Sequence, residues 1–129
     1  MNAKIPANEA LRIILEKYAQ LAMFEDYDIQ SPESLGPAGD TPFHMVAYDG
    51  DVDAAKIMLP YISNINLGGD IGNSPLHYAV MNKKIDMIRF LVMNGADLVQ
   101  RNDYGDTPLK EMEEDVFFRD ILNETGMGR

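Results

Sequence analysis

Ser74-Pro75-Leu76-His77-Tyr78-Ala79, continued in the same unit by Phe90-Leu91-Val92-Met93-Asn94-Gly95-Ala96-Asp97, is the stretch that decides the fold. A serine hydroxyl accepts a hydrogen bond from an orphan N–H of a helix's first turn. Proline at the next position loses nothing, because an N–H there has no intrahelical partner. These residues predict one helix over Pro75–Met81. A second is predicted over Ile85–Met93, where Ile85, Ile88, Leu91 and Val92 share one face. Asn94-Gly95 closes it, Gly95 being suited to the left-handed position just past a helix C-terminus.

The same opening stands on either side. Gly39-Asp40-Thr41-Pro42-Phe43-His44 precedes it and Gly105-Asp106-Thr107-Pro108-Leu109-Lys110 follows it, so that Thr41, Ser74 and Thr107 are each 33 residues apart. The glycine two residues before each cap suits a tight turn with positive φ, and Phe43, Leu76 and Leu109 are expected to point inward. A turn, a helix, a second helix and a loop at a fixed period describe a stack of identical units, each burying its apolar face against its neighbours.

Thr-Pro-Leu-His, a helix pair and Asn-Gly-Ala-Asp in a 33-residue period resemble the ankyrin repeat, over about residues 38–123. The resemblance implies an all-α solenoid of helix–turn–helix units with projecting loops. The departures carry information. Ile62 stands where the family has the glycine of its Gly-Ala-Asp turn and Pro60 sits two residues earlier, so the first unit's second helix, expected near 52–59, should end early or irregularly. Lys83 replaces the glycine usual between the two helices, and Lys110 replaces the histidine of the third unit. Glu111, Glu113 and Glu114 replace small apolar residues, as a terminal unit with a polar outer face requires. The glycine-rich loop 66–72 is expected to be mobile.

Before the first unit, Ala10, Leu11, Ile14, Leu15, Tyr18, Leu21 and Ala22 form an apolar stripe on a helix started by Asn8 or Ala7. The turn-rich link after it either simply connects or holds a degenerate repeat around Asp26-Tyr27-Asp28-Ile29. A last helix is expected over 116–122, and the terminal five residues are expected to fray. The chain thus divides into an N-terminal capping helix and link (1–37), repeats at 38–70 and 71–103, and a C-terminal capping repeat (104–129).

The 129 residues suit one domain, and 46% of them are apolar. The net charge of -10, from 21 acidic and 11 basic residues, argues against nucleic acid and anionic membranes as partners and favours a basic protein. There is no cysteine, hence no disulfide or thiolate metal site. No apolar run of membrane-spanning length exists. Residues 1–6 lack the apolar core of a secretory leader, so a cytoplasmic location and a monomer are expected.

No catalytic or cofactor pattern emerges. His44 and His77 occupy the same place in successive units, which makes them structural, and no zinc-binding spacing accompanies them. Gly68, Gly69 and Gly72 are not followed by the Lys-Ser/Thr of a phosphate-binding loop. Asp49-Gly50-Asp51-Val52-Asp53 lacks the length and closing glutamate of a calcium loop, and a helix N-cap accounts for Asp51 or Asp53. Glu113-Glu114-Asp115 is an acidic run of the kind that forms solvated faces. No metal, no cofactor and no enzymatic activity are expected.

The resemblance places a partner on the concave surface made by the loop tips and the first helices. The tips carry Asp70 and Ile71, then Asp103 and Tyr104; the first-helix ends carry Tyr48 and Asp49, Met81 and Asn82, Glu114 and Asp115. Tyr48 and Tyr104 are candidate anchors, because buried aromatics often carry interface energy. Short acidic ankyrin chains also resemble bacterial immunity proteins, which implies neutralisation of a basic toxin domain such as a nuclease. The alternatives are a general adaptor or scaffold and, weakest, an enzyme.

Overall fold

The computed structural model describes residues 8–125; the leader reading of residues 1–6 and the fraying expected of 126–129 concern residues outside it. Helix α1 (Glu9–Ala19) begins at Asn8, whose side-chain oxygen accepts from the Leu11 N–H. Three helix pairs follow: α2 (Pro42–Asp49) with α3 (Val52–Met58), α4 (Pro75–Met81) with α5 (Ile85–Met93), and α6 (Pro108–Glu113) with α7 (Arg119–Thr125). Among the described residues there is no strand.

Helices α2, α4 and α6 lie side by side in one layer, α3 and α5 pack behind them, and α1 covers α2 and α3. One continuous core runs between the layers. Leu11, Val46, Ala47, Met58, Leu76, Ala79, Met87, Ile88, Leu91 and Met112 are all fully or almost fully buried in it. Each large side chain among them contributes about 1.5–3 kcal/mol. Small residues at 47, 55 and 79 let the helices approach closely.

The repeat chemistry is realised twice over. Thr41 accepts from the His44 N–H and Ser74 from the His77 N–H, at 3.3 Å in each case. Each histidine Nδ1 accepts in return from the N–H of its cap residue at 3.0 Å, closing a capping box. Before each cap the chain makes a short turn in which Gly39, Gly72 and Gly105 have φ of 87°, 72° and 80°. Successive tips are bonded to one another: Asp103 N–H donates to Ile71 O at 2.8 Å, and Asp70 N–H to the Asp40 carboxylate at 2.9 Å.

The 33-residue register extends into the N-terminal link. Phe43 N–H donates to Pro32 O as Leu109 N–H does to Leu98 O. Glu33 accepts from the Asn64 N–H, as the Asn66 side chain does from the Asp97 N–H. The link before the first unit therefore adopts the post-helix turn of the later units.

Four expectations need correction. Helix α1 stops at Ala19, and Leu21, with an extended ψ of 141°, leads out of it, so Leu21 and Ala22 are exposed instead of continuing the buried stripe. Leu109 is only half-buried, because no described unit packs on the far side of its own. The loop 66–72 is held, not loose: Gly69 N–H bonds to Asn73 O, Gly72 N–H to Gly69 O, and His44 Nε2 to Leu67 O. The terminal helix starts at Val116 as expected, capped by Asp115 through the Phe117 N–H, but its first turn, Val116–Phe118, is 3-10 and it runs on as α7 to Thr125. By contrast α3 does end early at Met58; Pro60 sits in a 3-10 turn, Leu59–Tyr61, and Ile62 leaves extended.

Candidate partner-binding surface

The side of α2, α4 and α6 turned away from α3 and α5, together with the loop tips, borders the concave surface. Of the residues the sequence assigns to it, Tyr104 (75% exposed) and Met81 (52%) project furthest among the apolar ones. Tyr48 and Ile71 are partly exposed, and Asp70, Asp103 and Glu114 are exposed carboxylates. Ile71 is also held at φ 57°, in the left-handed region that β-branched residues avoid.

The other three have structural engagements. Asp49 accepts the Tyr18 hydroxyl at 2.7 Å and ties α1 to α2. Asn82 donates to Tyr48 O at 2.7 Å across the first and second units. Asp115 bonds to the Phe117 N–H and pairs with Lys83 at 3.3 Å, which hold its carboxyl below the usual range. Lys83 also lies over the Phe117 ring at 5.1 Å.

Two residues beside this surface were not singled out from sequence. Tyr78 lies on the concave side of α4, its ring edge-on to both Tyr48 and His44, and its hydroxyl donates to the buried Asp40 carboxylate at 2.7 Å. Burial first, and then this bond, push the Tyr78 phenol well above its ordinary range. Glu111 is half-buried on α6; burial raises its carboxyl, and the neighbouring Asp106 and Glu114 charges raise it further. The signal for Glu111 was available: it stands 33 residues after Tyr78, as Glu114 does after Met81.

The histidines are fully used by the fold. With Nδ1 accepting from a backbone N–H, Nε2 carries the proton, which His44 donates to Leu67 O at 2.7 Å and His77 to Asp106 O at 3.0 Å. Burial pushes both imidazoles below their ordinary range. These rings are locked braces for the loops that carry the tips, with no nitrogen left for a metal or substrate.

A stack of capped helix pairs in a 33-residue register, with bonded tips projecting from one edge, defines an ankyrin-repeat solenoid, a protein–protein interaction module. The family model for ankyrin repeats (3 copies) matches residues 7–102, and the chain belongs to that family. It is similar to mouse protein phosphatase 1 regulatory subunit 27, 29% identical over 92 residues, covering 71% of this chain and 58% of that protein. The human protein of the same name is 31% identical over 75 residues, covering 58% and 49%. A putative ankyrin repeat protein, L271, of Acanthamoeba polyphaga mimivirus is 38% identical over 86 residues, covering 63% and 12%. The chain thus spans from about an eighth to just over half of these relatives. No helix among the described residues is long and apolar enough to cross a membrane.

Proposed function

We propose that the chain is a non-catalytic adaptor that recruits or regulates a protein partner through its acidic concave surface, and that the partner presents a basic patch. The observation that carries this is the distribution of pairing. Among the described residues the ion pairs involve Glu9, Glu16, Asp86, Asp115 and Glu124. Asp70, Asp103, Asp106, Glu111 and Glu114 form no ion pair with a described cation. Unpaired like charges around exposed Tyr104 and Met81 favour a cationic partner, and steer its approach. A relative named as a regulatory subunit supports the adaptor role.

The neutraliser reading uses the same surface and differs in tightness: an inhibitor of a toxin domain holds one partner at nanomolar affinity or better, an adaptor less firmly. The test compares tagged wild type with Asp70→Asn/Asp103→Asn/Glu114→Gln for what each retains at low and moderate salt, followed by association rates with the recovered protein. A basic partner retained by wild type, associating about tenfold more slowly with the variant or at raised salt, supports the reading. Equal retention by both proteins at both salt levels counts against it.

A further inference from the structure

The floor of the concave surface changes character along the stack. On α2 and α4 it is apolar: Tyr48 is 38% exposed and Met81 52%, with Tyr78 beneath them, 6.2 Å from Tyr48 at 85° between ring planes. On α6 the positions equivalent to Tyr78 and Met81 are Glu111 and Glu114. Glu111 is half-buried, and it feels the charges of Asp106 and Glu114. Lys110, on α6, and Arg101, at the end of the preceding repeat, are exposed and form no ion pair with these carboxylates. An apolar floor across two units therefore abuts a negative floor on the third.

Resting on the acidic-surface reading above, we propose that this floor takes an extended segment of the partner that carries an apolar side chain and, about three residues along, an arginine or lysine. The apolar group covers Tyr48 and Met81, and the cation lies at Glu111 and Glu114. The spacing follows from geometry. Neighbouring packed helices stand about 8–10 Å apart, and a chain extended as a polyproline II helix advances about 3.1 Å per residue with every third side chain on the same side, so one step across the stack takes about three residues. A globular basic patch has no need of that order; a linear segment does. Charge complementarity selects the cation, because bringing one to Glu111 relieves repulsion already present in the free protein.

The test uses two synthetic peptides of about ten residues, long enough when extended to cross three units. Their composition is identical. In the first, within a glycine–serine background, an arginine stands three residues after a leucine; in the second it stands immediately after it. Fluorescence anisotropy measures affinity for the full chain. The first peptide is expected to bind about tenfold more tightly than the second. Glu111→Gln/Glu114→Gln should erase that preference, and Met81→Ala should weaken the first peptide by a similar factor. The glutamine variant removes like-charge repulsion, so its unfolding midpoint should not fall, which separates lost binding from lost folding. Equal binding of both peptides overturns the ordered-segment proposal and leaves the acidic-surface reading standing. If neither peptide binds, the segment proposal fails, and retention of the partner by wild type over the tip variant decides the broader reading separately.

Discussion

Removing the hydroxyl of Tyr78 tests the link between the buried frame and the presented surface. The ring is 8% exposed and its hydroxyl donates to Asp40 Oδ1 at 2.7 Å; Asp40 is itself 7% exposed and the same oxygen accepts the Asp70 N–H at 2.9 Å. Tyr78→Phe keeps the edge-on packing against His44 and Tyr48 and deletes one hydrogen bond to a charged acceptor. Such bonds contribute about 1.5–3 kcal/mol. Because Oδ1 keeps the Asp70 N–H, the loss should fall near the lower part of that range, about 2 kcal/mol. Urea unfolding followed by circular dichroism should show a lower midpoint at unchanged slope, since the surface exposed on unfolding is the same. The effect should also be local, with faster amide exchange at Asp70 than at Leu91. A double-mutant cycle with Asp40→Asn should show coupling of at least about 1 kcal/mol. A loss below about 0.5 kcal/mol, with additive single variants, refutes the reasoning: the pair would not then be what holds the second tip to the first unit.

Gly69→Ala should destabilise by about 1–3 kcal/mol in the same assay, since a Cβ there lies 2.3 Å from Asp40 Oδ1 and 3.2 Å from the His44 ring; a neutral result would show that the loop can shift away. Lys83→Gly should be more stable than Lys83→Ala by about 1 kcal/mol, because both lose the half-exposed pair with Asp115 and only glycine relieves the φ of 55°; equal stabilities would contradict the left-handed backbone. His44 and His77 should stay neutral, with the proton on Nε2, when the pH falls below 6.5, as read from ring nitrogen shifts. Their folded values lie below the unfolded one, so stability is full above pH 6.5 and declines below it as the unfolded chain takes up protons first; rings that titrate at or above 6.5 would refute the brace.

The frame was legible because each of its signals is local and repeated. Thr41, Ser74 and Thr107 announce three helix starts whatever surrounds them, and Asn94-Gly95 announces an end. The early end of α3 followed from Pro60 and Ile62 in the same way. The misreadings arose where packing across the chain overrides local pattern. Leu21 continues the period of α1, yet the chain has already left the helix. The glycines of 66–72 suggest looseness, but His44, on α2, donates into that loop.

The surface was legible by position and not by role. The repeat tells which positions lie at the tips and first-helix ends, and Tyr48, Met81, Tyr104 and the tip carboxylates are exposed there. It does not tell which of them the fold has already engaged. Asp49, Asn82 and Asp115 each meet a partner more than 30 residues away, through bonds that no composition or local pattern encodes. The converse holds for Glu111. In the two earlier units that position holds Met45 and Tyr78; here a carboxylate is half-buried beside two others. Folding alone disfavours that arrangement, because desolvation and like charge both act against it. A residue that weakens the frame on the surface proposed to meet a partner points to binding as the reason for its presence, and Glu111→Gln, expected to stabilise the free chain while weakening its complex, is the substitution that separates the two demands.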